Sequence, residues 1–218
     1  MIRFLAHPAA LVLALFVVGG CTDPRFVTDV TQFHDWPQRE TEHRFVVLAR
    51  DKAKGETLEF ASYARQLVAE LAKRGFRQAK NIEQSDIVVL FDYSVDAGTV
   101  ESYPVPVYGY YPDQYRLVHG MTRDGKPFSA HVYHSGSYEP IGYTQETRTI
   151  YKRDLIIDIV AAKPWRRGKT VKRYEGRVIS VGSEQQLVNI VPRMIEALFT
   201  DFPGQSGKTR TIVLSPKP

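Results

Sequence analysis

Apolar and polar positions alternate with the period of a β-strand, or give way to an unbroken apolar run, in several short segments of the chain. The run over residues 86–94 is continuous enough for a strand buried on both faces. Leu155, Ile157 and Ile159 share one apolar face, which predicts a strand starting near Thr147. The other predicted strands cover residues 26–31, 45–50, 170–181 and 209–214, and the third of these returns antiparallel after a turn at 164–169.

Two segments carry apolar residues at the spacing of one helix face. The first follows Thr57, a suitable N-cap, and stops at Gly75, which favours the left-handed conformation that closes a helix. The second follows Ser183 and Gln186, a capping-box pattern, and contains Pro192, which we expect to kink the helix or split it in two. The two apolar faces comprise Phe60, Ala64, Leu67, Val68 and Leu71, and Leu187, Ile190, Val191, Met194, Ile195, Leu198 and Phe202.

The predicted order is β-β-α-β, an insertion, then β-β-α-β, without the βαβ rhythm of a parallel sheet. It predicts an α+β fold: a mixed, largely antiparallel sheet with two amphipathic helices packed on one face, an α/β sandwich. The 218 residues are 43% hydrophobic and 24% charged, a globular rather than a disordered composition. We therefore expect a single domain over residues 26–218 with an insertion at about 97–146.

The insertion is rich in tyrosine, glycine and proline. Ten of the 12 tyrosines lie between Tyr93 and Tyr151. The segment is either a long excursion over the body or an irregular pair of β-hairpins, since a structureless loop of this length is unusual in a compact domain. Tyrosine supplies large contact area at low entropic cost, so Tyr108, Tyr110 and Tyr111 are candidates for an interaction surface. Packing of the tyrosines across their own strands is the alternative.

The N-terminal residues 1–20 have the pattern of a signal peptide. Their apolar run, residues 9–18, is shorter than the roughly 20 residues of a membrane-spanning helix. It ends in Val18-Gly19-Gly20-Cys21, which resembles the lipobox of bacterial lipoproteins. We expect cleavage between Gly20 and Cys21, acylation of Cys21 with chains of the palmitate type, and a short tether over residues 21–25. The alternative is an ordinary cysteine after a conventional signal peptide.

The residue after the cysteine and the net charge bear on location. Enteric bacteria retain lipoproteins with aspartate at that position in the inner membrane, so Thr22 favours the outer membrane, whereas Asp23 keeps the inner membrane as the weaker alternative. The precursor has 29 Lys and Arg; Arg3 leaves with the signal peptide, so 28 remain against 24 acidic residues, a formal charge of +4. For an exported chain this mild charge favours anionic lipid, lipopolysaccharide or cell wall over nucleic acid.

Residues 204–209 (GQSGKT) look at first like a phosphate-binding loop. That loop needs a glycine where this chain has Phe202, and it must follow a strand and open a helix. Here the segment follows a predicted helix, so we expect a glycine-rich turn and no nucleotide.

No catalytic or metal-binding set emerges from the motifs. His119, His131 and His134 offer three imidazoles, but without an acidic partner or a metalloprotease motif they are a weak signal for metal. Asp154 and Asp158 fit a solvated strand face better than an acid–base pair. We expect no enzyme activity, cofactor or metal; a cryptic hydrolase using His131 or His134 is the minor alternative.

The densest basic stretch covers residues 163–173 and includes Trp165, Arg166 and Arg167. It is either a solvated hairpin tip or a contact with lipid headgroups or lipopolysaccharide, since each cation near an anionic membrane contributes about 1 kcal/mol.

Several short segments resemble one bacterial family. Residues 28–34 (TDVTQFH), 58–63 (LEFASY), 75–76 (GF) and 87–93 (IVVLFDY) are similar to lipoproteins grouped as domain of unknown function 4136, as are residues 174–177 (YEGR) with Ser180 and 197–204 (ALFTDFPG). The resemblance covers residues 27–207, least well in the tyrosine-rich insertion. It implies a periplasm-facing envelope lipoprotein of a Gram-negative bacterium with an α/β sandwich and no assigned reaction or catalytic set.

These observations lead to two functional expectations. The first is a non-enzymatic, lipid-anchored domain that contacts another envelope protein in envelope assembly or maintenance. The alternative is a ligand-binding module for cell-wall glycan (peptidoglycan) or lipopolysaccharide that uses Trp165 and its basic neighbours.

Replacing the cysteine tests the anchor. We expect Cys21→Ser to accumulate as unprocessed or mislocalised precursor, because serine supplies no thiolate to accept the lipid. Metabolic labelling with a palmitate analogue and membrane fractionation would show this. Normal processing and membrane retention of the variant would contradict acylation at Cys21.

Overall fold

The computed structural model describes residues 25–36 and 43–215. The predicted signal peptide, Cys21 and most of the tether lie outside the described residues. The strands are β1 (Phe26–His34), β2 (Arg44–Ala49), β3 (Arg77–Gln78), β4 (Ile87–Val95), β5 (Thr99–Tyr111), β6 (Gln114–Met121), β7 (Pro127–His134), β8 (Ser137–Ala161), β9 (Lys172–Gly182) and β10 (Lys208–Leu214). The helices are α1 (Lys52–Gly55), α2 (Leu58–Ala72), α3 (Ala162–Trp165) and α4 (Leu187–Phe199), with a 3-10 turn at Ile82–Gln84.

One large sheet organises the described chain. Its strand order is β10-β1-β9-β8-β4-β2-β3, and β5 pairs with the first part of β8. Only β2 pairs in parallel, with β3 and β4. The described part of the chain is therefore mixed α+β with a largely antiparallel sheet and four helices, which confirms the predicted class.

The main hydrophobic core joins the two long helices to the middle of the sheet. It comprises Phe60, Leu67 and Leu71 of α2, Ile190, Met194, Ile195 and Leu198 of α4, and Val30, Phe45, Phe91, Leu155, Ile157, Ile159 and Val178 of the strands. A second, smaller cluster of Val46, Val88, Leu90, Val160 and Ala162 has Ile82 and Trp165 packed against it. Alternate residues of β4 point into these two clusters, so the prediction of a strand buried on both faces is confirmed.

Helix α2 begins and ends as its sequence predicts. The Thr57 hydroxyl accepts a hydrogen bond from the amide of Phe60 at 3.1 Å, which satisfies one of the free donors of the first turn. Gly75 adopts a φ of 90° after the last turn, a conformation that costs residues with a Cβ more than it costs glycine.

Helix α4 differs from its prediction in two ways. Gln186 occupies the N-cap position without a side-chain cap, and the Glu184 carboxylate accepts from the Gln186 amide instead, so the capping box was wrong. Of the two effects predicted for Pro192, a kink or a split, the split is wrong, because the helix continues through it. A proline inside a helix costs about 3 kcal/mol, through a lost hydrogen bond and a clash with the preceding turn. The burial of side chains on both sides of Pro192 offsets this cost. Phe202, predicted on the helix face, lies beyond its end but still packs against the core.

The insertion is a pair of β-hairpins and not a structureless excursion. Strand β5 pairs with β8 from Thr99↔Ile150 to Tyr111↔Ser137, and β6 pairs with β7 beyond them. Strand β8 is therefore 25 residues long and starts ten residues before the predicted position near Thr147. Strand β8 is longer than predicted because β5 pairs with its residues 137–150. Apolar and polar positions alternate too weakly in these residues to predict a strand from the sequence.

A pair of leucines in α2 tests the packing of this core. Leu67 is 0% exposed and Leu58 is 90% exposed. We expect Leu67→Ala to lower the free energy of unfolding by about 2–5 kcal/mol and Leu58→Ala to change it by no more than about 0.5 kcal/mol. Denaturant titration of the chain from residue 22 onward measures both. Equal effects would contradict the packing of α2 described above.

Candidate functional site

Residues 99–150 form an arm built from β5, β6, β7 and the first half of β8. Its longer part is the two-stranded ribbon of β5 and residues 137–150, which spans about 40 Å at the usual rise of about 3.3 Å per residue. Its tip is the β6–β7 hairpin. Within this fully described stretch no residue is buried. Both faces of the arm therefore meet solvent.

The junction between ribbon and tip is held by one carboxylate. Asp113 accepts a hydrogen bond from the amide of Gly136 at 2.7 Å and another from the hydroxyl of Tyr133 at 2.8 Å. These donors stabilise the ionised form and lower the pKa of Asp113, the Gly136 amide contributing most. The same contact raises the pKa of Tyr133. The junction is thus fixed by charge-assisted hydrogen bonds rather than by burial.

The register divides the ribbon into two faces of different charge. One face, called here the tyrosine face, has no charged side chain. It comprises Val100, Ser102, Pro104, Pro106, Tyr108 and Tyr110 of β5 with Tyr138, Pro140, Tyr143, Gln145, Thr147 and Thr149 of β8. The charged face carries Glu101, Tyr103, Val105, Val107 and Tyr111 of β5 with Glu139, Ile141, Thr144, Glu146 and Arg148 of β8. The assignment of residues to the two faces follows from the pairing of β5 with β8 and cannot be read from the sequence alone.

Side-chain contacts agree with this division. On the tyrosine face, the rings of Tyr110 and Tyr138 lie 5.3 Å apart. On the charged face, Arg148 pairs with Glu101 at 3.1 Å and lies over the ring of Tyr103 at 5.4 Å. The bulge places Ile141 against Gly109, where an added Cβ would lie 2.7 Å from its side chain.

The three tyrosines singled out from the sequence all lie on the arm. Tyr108 and Tyr110 are on the tyrosine face and are 59% and 56% exposed, and Tyr111 is on the charged face and 46% exposed. Packing across strands and exposure therefore coexist, since Tyr110 and Tyr138 pack against each other and are still 56% and 74% exposed.

Prolines interrupt both edges of the ribbon. Pro104 and Pro106 lie in β5 and Pro140 in β8. A proline has no amide hydrogen. Within a sheet it therefore occupies positions at which the amide of any other residue would point away from the partner strand. The outer edges therefore lack donors at these positions, which disfavours the addition of a further strand.

The basic stretch lies at the opposite end of β8 from the arm. Trp165 packs against the smaller hydrophobic cluster, and the guanidinium of Arg166 donates to the carbonyl oxygen of Ile82 at 2.8 Å, with longer contacts to two neighbouring carbonyls. Arg167 is exposed. The fold thus uses Trp165 and Arg166 to cover one face of the sheet, and it does not bring them together with the tyrosines.

The three histidines do not converge. His119 and His131 lie on one face of the tip, where His119 Nδ1 is 2.8 Å from the Ser129 hydroxyl, and His134 lies on the other face. Within residues 25–36 and 43–215, no group of three or more histidine, cysteine or acidic side chains is placed to hold a metal. Residues 204–207 form the predicted glycine-rich turn that leads into β10, with φ of 72° at Gly204 and 79° at Gly207.

The environment of Asp158 differs from the solvated strand face that its sequence context predicts. Asp158 is 3% exposed, not solvated, because Arg50 and Lys172 lie over it with their nitrogens 2.7 and 3.4 Å from Oδ2. It lines a depression of about 460 Å³ on the sheet face, together with Phe33, Ile156 and Ile179. Arg177 at the same depression pairs with Asp154 at 2.6 Å. The cations that line this depression, Arg50, Lys172 and Arg177, are thus already paired with carboxylates. No local sequence pattern could reveal the contact with Arg50, because Arg50 lies 108 residues from Asp158.

Among the described helices, none combines the length and the apolar character that crossing a membrane requires.

Comparison with known proteins identifies the family. The family model described as domain of unknown function (DUF4136) matches residues 22–204. This chain belongs to that family. No curated protein matches it. A crystal structure of a PDZ domain protein from Parabacteroides distasonis ATCC 8503 is similar at a TM-score of 0.47 and 11% sequence identity, over 86% of this chain and 38% of that one.

The junction of the arm gives a pH-dependent prediction. The lowered pKa of Asp113 means that its contribution to the junction is present above the ordinary value of 3.8 and is lost as pH falls through the lowered pKa. We expect Tyr133→Phe to raise the pKa of Asp113, because one of its two donors is removed, and Tyr115→Phe to leave it unchanged. Carboxyl ¹³C NMR titration measures this. An unchanged Asp113 pKa in Tyr133→Phe would show that the hydroxyl contact is absent.

Proposed function

We propose that this chain is a non-enzymatic, lipid-anchored domain of the Gram-negative cell envelope that acts in envelope assembly or maintenance through its arm. Acyl chains on Cys21 would hold it at the outer membrane, facing the periplasm. The finer architecture we propose is an α/β sandwich, because buried residues of α2 and α4 share one core with the inward-pointing residues of β1, β8 and β9.

The observation that carries the proposal is the exposure of the arm. Large apolar or aromatic side chains remain accessible along its whole length, including Tyr115 and Met121 at the tip, each 74% exposed. Monomeric soluble proteins rarely expose large contiguous apolar patches without an interaction to cover them. A two-stranded ribbon is also only marginally stable in water, so a partner that packs on it would stabilise it.

The topology supports a position for the arm near the anchoring membrane. Strands β1 and β8 run in the same direction, because both pair antiparallel with β9. The start of β1 at Phe26 is therefore level with the root of the arm at Tyr151. A five-residue tether reaches at most about 17 Å, so an anchor at Cys21 would keep this end of the sheet close to the lipid.

With an anchor at Cys21, the same geometry would keep the basic stretch away from the membrane. Trp165 follows the far end of β8, about 35 Å along the strand from Tyr151. Of the arm and the basic stretch, the arm is thus the surface that such an anchor would hold beside membrane-bound neighbours.

Photo-crosslinking in living cells tests the arm as the contact surface. We expect a crosslinking residue at Tyr111 of the lipidated protein to give a discrete adduct with another envelope protein. The same residue at Lys73, whose exposed side chain lies at the end of α2, serves as the control. No adduct at Tyr111, or the same adducts at both positions, would contradict the proposal.

A further inference from the structure

The two faces of the ribbon differ enough to indicate different partners. We propose that the tyrosine face packs against the same face of a second copy of this chain, forming a symmetric dimer through the arms. This inference rests on the proposed role of the arm as a contact surface and names the partner of one of its faces.

Charge favours self-association through this face alone. The tyrosine face has no ionised side chain, so two copies bury no charge when they meet. The charged face carries Glu101, Glu139 and Glu146 against Arg148, a net negative charge that would repel its own copy. A twofold axis places the same patch of both copies face to face, so the patch must be complementary to itself. An uncharged patch meets this requirement because it brings no like charges together.

The exposed area is sufficient for a specific dimer. Tyr108, Tyr110, Tyr138 and Tyr143 are 59%, 56%, 74% and 71% exposed. At about 200 Å² for each fully exposed tyrosine, these four side chains offer about 500 Å² per chain. Two copies would bury up to about 1,000 Å² from tyrosines alone, the minimum expected of a biological interface, and Val100 on the same face, 67% exposed, adds to it.

Dimerisation also supplies what the ribbon lacks structurally. A two-stranded ribbon needs a further layer for independent stability, and a second ribbon stacked about 10 Å away provides it. The prolines at both edges, Pro104, Pro106 and Pro140, disfavour pairing edge to edge. Packing between faces is therefore the mode of association that the ribbon permits.

Lipid is a poorer occupant of this face than a second copy. Surfaces that lie on anionic membranes combine apolar side chains with Lys and Arg, and the tyrosine face has no cation. Two chains anchored in one membrane would also meet at a raised local concentration.

Adjacent tyrosines provide a matched test. Tyr110 and Tyr111 are neighbours of similar exposure on opposite faces. Sedimentation equilibrium of the chain from residue 22 onward should show a monomer–dimer equilibrium. We expect Tyr110→Glu to raise the dissociation constant about 100-fold, because it buries an unpaired carboxylate, and Tyr111→Glu to change it by less than about threefold.

A crosslinking variant keeps the test independent of that substitution. A photo-crosslinking residue in place of Tyr110 in the purified chain reacts with whichever part of the facing ribbon lies opposite it, so the two copies of position 110 need not meet. Irradiation should yield a covalent dimer of this chain, whereas the same residue in place of Tyr111 should not. A monomer at all concentrations tested, or equal effects at the two positions, would overturn the inference.

The outcomes separate this inference from the proposed function. Self-association of the purified chain needs no other envelope component, whereas the Tyr111 adduct in cells needs one. A monomeric chain that still gives the adduct would remove the dimer and leave the proposed function. A chain that dimerises but gives no adduct would leave the dimer and remove the proposed function.

Discussion

The pairing of β8 with β4 and β9 fixes both halves of this molecule. Residues 151–161 of β8 lie in the middle of the sheet, where Leu155, Ile157 and Ile159 enter the core. The same strand continues outward as residues 137–150 and carries one side of the arm. Because the arm extends a central strand, its direction relative to the body is set by the sheet. A partner that binds the arm therefore contacts the same strand that enters the core.

Local sequence patterns predicted most elements of the body. Thr57 and Gly75 bound α2 through interactions within one turn of the helix, so a short window contains the signal. Pro192 does not split α4, because its cost is local whereas the burial that offsets this cost comes from the whole helix. The environment of Asp158 was also beyond prediction, since Arg50 lies 108 residues away along the chain.

The sequence predicted which tyrosines form the candidate interaction surface but not how they are arranged on it. The tyrosines identified the segment, and Tyr108, Tyr110 and Tyr111 are indeed accessible. Their distribution over two faces depends on the register with β8 and on the bulge at Ile141, and neither follows from the sequence alone. The basic stretch shows the opposite case: Trp165 and Arg166 look like binding residues in the sequence, yet both have contacts within the fold.

The position of β1 in the sheet constrains the order in which the chain can fold. This strand lies between β9 and β10, and its Thr28 and Asp29 side chains bond to residues 151 and 182 positions further along. Strand β1, the first of the described strands, therefore has no partner until β9, the last but one, has been made. Such distant pairing slows folding and prolongs the time during which β1 is unpaired. The described sheet is complete only once β10 has joined β1 at its edge.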